Sequence, residues 1–230
     1  MTSDAEALRG RYFAVKAEIE SAAKKHGREL SDVELIVISK NHSSELVRTL
    51  FQLGHRHFGE NRDQEAAPKA GETSDLEGIT WHFVGQLQSN KVKSVLQYAK
   101  YIHSIDRNSL LASLAKELAK TPINVKGFVQ LNLTDDPGRG GIQPSDLLTF
   151  ADAVAAVPGI ELQGVMGVAA LDRDPRIDFE TIANCSSLLQ THQPRARFIS
   201  AGMSHDFEQA LEFGATHLRI GTAITGNRNP

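Results

Sequence analysis

An alternation that repeats along the whole chain constrains the fold most. A short apolar, β-rich run is followed by a stretch with helical spacing, and then another such run. The β-rich runs lie near residues 35–38 (LIVI), 56–58 (RHF), 81–84 (WHFV), 101–104 (YIHS), 125–132 (VKGFVQLN), 160–166 (IELQGVM), 197–200 (RFIS) and 216–220 (THLRI). Between them run helical patterns such as SSELVRTLFQLG, NSLLASLAKELAK and DFETIANCSSLLQTH, and residues 4–26 read as an opening helix. Ser43, Asn108, Ser145 and Ser204 stand where helix N-caps are expected, and Gly54 and Gly214 where helices stop. Strand–helix units carry successive strands in the same direction, so the sheet is mostly parallel. Eight such units in 230 residues match a (β/α)8 TIM barrel. The reading is one domain, 1–230, with residues 1–27 an extra N-terminal helix packed on the barrel. An open doubly wound sheet would usually carry a glycine-rich phosphate loop after its first strand. Here the first strand is followed by SKNHS, with no glycine.

Composition removes several function classes. The net charge is −3, so there is no basic excess to neutralise nucleic-acid phosphates or to bind a membrane surface. No apolar run approaches the ~20 residues of a membrane span. The charged, amphipathic start has no signal-peptide core, so a cytoplasmic protein is expected. The lone Cys185 can form neither an internal disulfide nor a thiolate zinc site, and in ETIANCSSLLQ it reads as a buried helix residue. No HExxH motif, His/Cys cluster or paired-carboxylate motif is present, and His55 and His57 flank Arg56 without metal-ligand spacing, so no metal site is expected. A monomer is expected, the apolar face of the opening helix covering the barrel.

The first strand ends in an ammonium group: Glu34-Leu-Ile-Val-Ile-Ser-Lys40. A strand-end lysine can simply reach water. A lysine near apolar walls can instead lose hydration and attack a carbonyl as a neutral amine. In a barrel, chemistry sits at the C-terminal ends of the strands. Nearly every loop there carries a polar or glycine signature, from Asn61 after strand 2 to Met203-Ser204 after strand 7 and Gly221-Thr222 after strand 8. That asymmetry favours the functional reading of Lys40.

Gly202-Met203-Ser204 and Gly221-Thr222 together read as a phosphate cup, since glycine admits backbone N–H groups to an anion and hydroxyls donate. Either alone would read as an ordinary turn or cap. Asp136–Gly141 (DPGRGG) has the composition of a flexible surface loop, although it could cradle a phosphate. His82 beside Trp81 fits a satisfied core histidine and a ligand contact equally well. Lys40 plus a phosphate cup allows a Schiff-base aldolase or a pyridoxal phosphate (PLP) protein. Arg219 favours the second, because an always-protonated guanidinium facing a pyridine nitrogen keeps that nitrogen an acceptor. A structural ion pair at the barrel rim is its alternative.

The segments VISK, FGENRDQE (58–65), WHFVGQLQSNK (81–91), SIDR (104–107), GVMGV (164–168) and ISAGMSHDFEQALEFGATHLRIGTAITG (199–226) resemble the YggS/PROSC family of PLP homeostasis proteins. The resemblance runs from about residue 10 to 226. It implies a barrel like the alanine racemase N-terminal domain, with PLP held as a Schiff base on Lys40. By position, it implies Asn61 near the ring substituents with His82 in the motif beside it, Met203, Ser204, Gly221 and Thr222 around the phosphate, and Arg219 at the pyridine nitrogen. Two departures stand out. The family often has a proline soon after the lysine, where this chain reads KNHSSE. It often has a lysine before the glycine after strand 5, where this chain has Arg139.

A racemase needs acid/base groups on both faces of the substrate carbon. Tyr12, Tyr98 and Tyr101 do not stand at C-terminal strand ends, and no second domain follows the barrel in this sequence. An arginine-faced pyridine is also a weak electron sink. The expectation is therefore a PLP-binding homeostasis protein without robust catalysis, whose partners are PLP and apoenzymes that receive it. A slow amino-acid racemase is the alternative, and a sugar-phosphate aldolase the third reading.

Overall fold

The structure, a computed structural model, describes residues 3–121, 123–134 and 136–226. The chain opens with α1 (Ser3–Lys25) and then alternates strand and helix: β1 (Glu34–Ile38), α2 (Ser44–Gln52), β2 (His57–Glu60), α3 (Asp63–Glu72), β3 (Thr80–Phe83), α4 (Val92–Val95), β4 (Ala99–Ile105) and α5 (Asn108–Leu118). It continues with β5 (Val125–Gln130), α6 (Leu147–Ala155), β6 (Ile160–Met166), α7 (Pro175–His192), β7 (Phe198–Ser200), α8 (Phe207–Glu212), β8 (His217–Ile220) and α9 (Thr222–Thr225). The strands close in sequence order into a parallel eight-stranded barrel, the TIM barrel expected from the alternation. Closure is made by β1 against β8, from Glu34 opposite His217 to Val37 opposite Ile220.

Two-residue periodicity sorts the strand side chains. Val37, Phe58, Trp81 and Val129 join the buried cluster under the helices with Leu50, Leu110, Leu114 and Phe179. Each such side chain contributes about 1.5–3 kcal/mol by leaving water. The intervening residues point into the barrel, where the usual filling is branched apolar. Ile36 and Ile38 conform, but His57, His82, His103, Ser200, His217 and Arg219 make much of this interior polar.

Helix boundaries follow local chemistry. In α7, the Asp174 side chain accepts from the Arg176 backbone N–H at 3.0 Å, and Pro175 fills the first helical position, where no donor is needed. Gly54 and Gly214 end their helices at φ of 93° and 87°, which a side chain would resist. Of the four expected N-caps, only Ser43 stands at that position. Asn108 is already the first residue of α5, Ser145 lies in a 3-10 turn, and Asp206 takes the position expected for Ser204. The spacing marks these positions as start signals but one to two residues off, with Arg107, Asp146 and Asp206 standing at the N-cap position instead.

α1 presents Leu8, Tyr12, Val15 and Ile19 at helical spacing and buries them. It lies against α8 and α9, where the Arg11 Nε donates to the Ile224 carbonyl at 2.8 Å. Cys185 is buried in α7. No described helix is long and apolar enough to cross a membrane.

Candidate functional site

Lys40 follows β1 at the C-terminal mouth of the barrel and is exposed. Among the described residues its ammonium has no hydrogen-bond or ion-pair partner. The backbone on either side of it is held firmly. Ser39 is buried, its hydroxyl donating to Glu60 Oε1 at 2.7 Å and its carbonyl accepting from Lys69 Nζ at 2.8 Å. Lys69 also meets Glu60 Oε1 at 2.5 Å. On the other side, Asn41 N–H donates to Glu65 Oε2 at 2.9 Å, with Asn41 in the left-handed region at φ 63°. Burial pushes the Glu60 carboxyl up, and the Lys69 ammonium and the Ser39 hydroxyl oppose that. FGENRDQE therefore supplies the clamp: Glu60 and Glu65 fix the two residues that flank Lys40.

Asn61 follows β2 and is half-buried. The loop after β3 comes so close that a Cβ on Gly85 would lie 2.1 Å from the Asn61 carbonyl oxygen, so only glycine fits there. Asn61, Gly85, Gln86 and Lys91 help line a cavity of about 320 Å³. DPGRGG is exposed at Asp136, Gly138 and Arg139, and Ile142 just after it is tied back to β5. Ile142 N–H donates to the Gln130 carbonyl at 2.9 Å, and Asn132 N–H to the Ile142 carbonyl at 2.8 Å, which lengthens β5 by a short bridge. Gly140 thereby lies against Asp106 and Gln86 at the ends of the neighbouring strands.

The loops after β7 and β8 meet, as the phosphate-cup reading requires. Ala223 N–H reaches Ser204 Oγ at 3.4 Å, and Arg219 N–H donates to the Gly202 carbonyl at 2.9 Å. Met203 N–H is taken by Asp206 Oδ1 at 2.6 Å. Gly221 is the N-cap of α9 and Thr222 its first residue, and Gly221 stands against Ile38, two residues before Lys40.

Arg219 is buried inside the barrel, its Nη1 donating to Ser200 Oγ at 2.6 Å and its Nη2 to the Gly167 carbonyl at 2.9 Å. Among the described residues no carboxylate pairs with it at hydrogen-bond distance, and Asp206 bears on it only electrostatically, which speaks against the rim ion-pair reading. Burial lowers its pKa to about 10, so it remains a cation at neutral pH. His82 is fully buried, with both ring nitrogens engaged: Nε2 with His57 Nδ1 at 3.0 Å and Nδ1 with His103 Nε2 at 2.9 Å. It stacks on Tyr101 with ring centres 4.3 Å apart. His82 therefore has no ring nitrogen left for a ligand. Among the described residues, no His, Cys, Asp or Glu cluster is arranged to hold a metal ion.

The structure thus gathers Lys40, Asn61, Met203, Ser204, Gly221 and Thr222 at one mouth, with Arg219 beneath it and His82 linked to Arg219 through His103 and Ser200. Sequence reasoning missed Ser39, Glu60, Glu65 and Lys69, though FGENRDQE contained two of them. It also missed His103 and Ser200. Their only signal was a polar residue at the inward position of successive strands.

Residues 13–229 match the family of the alanine racemase N-terminal domain. The pyridoxal phosphate homeostasis protein of Vibrio cholerae is 34% identical over 221 residues, covering 94% of each chain. The chain belongs to the pyridoxal phosphate homeostasis protein family. Among solved structures, PipY of Synechococcus elongatus with PLP bound shares 33% identity at a TM-score of 0.80, covering 90% of this chain and 100% of that one. A crystal structure from Bifidobacterium adolescentis aligns at a TM-score of 0.90 with 28% identity over 97% of this chain and 96% of its own.

Proposed function

We propose that this family member binds PLP and serves PLP homeostasis, holding the cofactor as a Schiff base on Lys40 with its phosphate in the loops after β7 and β8. The observation that carries the reading is Lys40: an accessible amine, without a partner among the described residues, on a turn clamped from both sides by Glu60 and Glu65. Bound PLP supplies an aldehyde that a neutral amine can capture reversibly. The donor set suits the rest of the molecule. Ser204, Thr222 and the N–H groups around Gly221 suit a phosphate, and the Arg219 guanidinium suits a ring nitrogen that must stay an acceptor. Asn61 suits the ring substituents from the neighbouring loop. His82 acts at one remove, through His103 and Ser200.

Storage and hand-over to apoenzymes fit this site better than turnover. The three tyrosine hydroxyls are engaged elsewhere: Tyr12 with His55, Tyr98 with Asp63, and Tyr101 with Lys126. None stands ready as a second base opposite Lys40. An arginine at the ring nitrogen also weakens the cofactor as an electron sink.

The test is the visible spectrum of the purified chain after PLP is added and excess removed. The expected result is a yellow chromophore that borohydride bleaches and fixes covalently to Lys40, and that Lys40→Ala lacks. A colourless wild type, or an unchanged chromophore in Lys40→Ala, would overturn the reading. Exchange of the alanine α-hydrogen with solvent deuterium separates the carrier from the slow racemase.

A further inference from the structure

The polar residues inside the barrel form one continuous hydrogen-bonded row. It runs from Arg219 to Ser200 Oγ (2.6 Å), on to His103 Nδ1 (2.8 Å), from His103 Nε2 to His82 Nδ1 (2.9 Å), and from His82 Nε2 to His57 Nδ1 (3.0 Å). His57 Nε2 then lies 3.3 Å from Glu34 Oε2 at the opposite end of the barrel. Five strands contribute: β8, β7, β4, β3 and β2, with β1 supplying the end.

Donor and acceptor chemistry gives this row a direction. A guanidinium only donates, so Ser200 Oγ accepts from Arg219, and its single proton is left for His103 Nδ1. A neutral imidazole has one N–H, so His103 carries it on Nε2 and donates to His82 Nδ1. The same step places the proton of His82 on Nε2, then that of His57 on Nε2, facing the Glu34 carboxylate, which only accepts. Every link from Arg219 to His57 Nδ1 is satisfied with three neutral rings in one tautomer, and the His57 Nε2–H is left facing Glu34 Oε2 in a contact at ion-pair distance. Charging His82 or His103 would set two donors against each other, and burial also drives both well below the usual histidine pKa.

We propose that Ser200, His103, His82, His57 and Glu34 form a one-directional hydrogen-bond relay that holds the Arg219 guanidinium in its orientation toward the cofactor's ring nitrogen. Its target rests on the PLP reading above, but the relay itself is a property of the ligand-free chain. These are positioning residues, since they act through Arg219.

The far end faces a separate cavity of about 290 Å³, lined by Tyr12, Lys16, His55 and Arg56 together with Glu34 and His57. His217 faces Glu34 from β8, and the Lys126 ammonium on β5 bears on both His57 and His217. In this setting burial raises the Glu34 carboxyl to about 7. The row has its full acceptor end above that pH. Below it, His57 Nε2 loses its carboxylate acceptor.

The experiment is long-range 1H–15N spectroscopy of the histidine rings in uniformly labelled, ligand-free chain at about pH 8, above the Glu34 range. The expected result is that His57, His82 and His103 are all neutral with the proton on Nε2. A proton on Nδ1 of any of the three overturns the relay. Ser200→Ala removes the group that sets the direction at the Arg219 end and Glu34→Ala the acceptor at the far end, so His103 and His82 are expected to lose the single tautomer in the double variant, and to retain it in Ser200→Thr, which keeps the hydroxyl. Unchanged tautomers in the double variant also overturn it. If the double variant fails to fold, the wild-type tautomers and the Ser200→Thr spectrum still decide.

With PLP added, Ser200→Ala is expected to shift the visible band and weaken PLP retention about tenfold, the equivalent of one hydrogen bond, with Ser200→Thr restoring both. Expected tautomers without any chromophore would leave the relay standing and remove the PLP reading. A chromophore with reversed tautomers would do the opposite.

Discussion

Two polar clusters share this barrel and solve the same problem in opposite ways. Beneath Lys40, Glu60 and Lys69 are buried as opposite charges, tied together and to Ser39. Across the interior, His57, His82 and His103 are kept neutral, each ring offering one donor and one acceptor. A buried charge needs a partner charge, whereas a buried neutral ring needs only correctly placed hydrogen bonds. The first cluster therefore fails when a charge is removed, and the second when a proton is added.

Acid tests that contrast most severely. His82 and His103 are held well below their usual pKa by burial, His55 is lowered to about 4 and His217 to about 3. The unfolded chain binds protons at these sites from about pH 6.5 downward while the folded chain does not, so stability falls as the pH drops through that window. At pH 5 the loss is about 2 kcal/mol for each such ring, large against a typical total of about 5–15 kcal/mol. Thermal unfolding followed from pH 7.5 to 5 should show a steep fall in Tm. A flat profile would mean that these rings are protonated in the fold.

Breaking the charged cluster should come next. Lys69→Met leaves Glu60 buried without its partner and should cost about 3–5 kcal/mol. Adding Glu60→Gln should recover part of that loss, which denaturant unfolding of the single and double variants measures. Strict additivity would mean that the pair does not act as a unit.

His103→Leu stays near the imidazole's volume but breaks the row, leaving His82 Nδ1 and the Ser200 hydroxyl short of a partner. The expected cost is about 1–3 kcal/mol per buried group left unpaired, read from urea unfolding at pH 8.

The smallest expected effect on stability belongs to the residue with the largest expected role. Lys40 is exposed and holds nothing in place, so Lys40→Ala should change stability by no more than about 0.5 kcal/mol while abolishing the PLP chromophore. A large destabilisation would show that Lys40 is structural.

Much of this was legible in the sequence, and the reason differs by residue. Strand–helix alternation is a local signal, so all eight strands and the mouth-facing loops could be read directly. Lys40, Ser204 and Gly221 lie at strand ends, where position along the strand already says which face a residue serves. The N-caps at Asn108, Ser145 and Ser204 were misread by one or two residues, since competing turn-formers lie side by side. DPGRGG is exposed as its composition suggests, but Ile142 just after it pairs back to the end of β5, a contact between residues that no local pattern reports.

The sequence by itself determined the barrel, because hydrophobic periodicity acts over a few residues and chain reversal follows from it. It also determined the candidate amine and the glycine-bearing loops at one mouth. Only the tertiary structure decided what supports them. Glu65 reaches Asn41, Lys69 reaches Ser39 and His103 reaches Ser200 across 24, 30 and 97 positions. Hydrogen bonds at that separation exist only once the barrel has closed and its inward-facing side chains share one enclosed space.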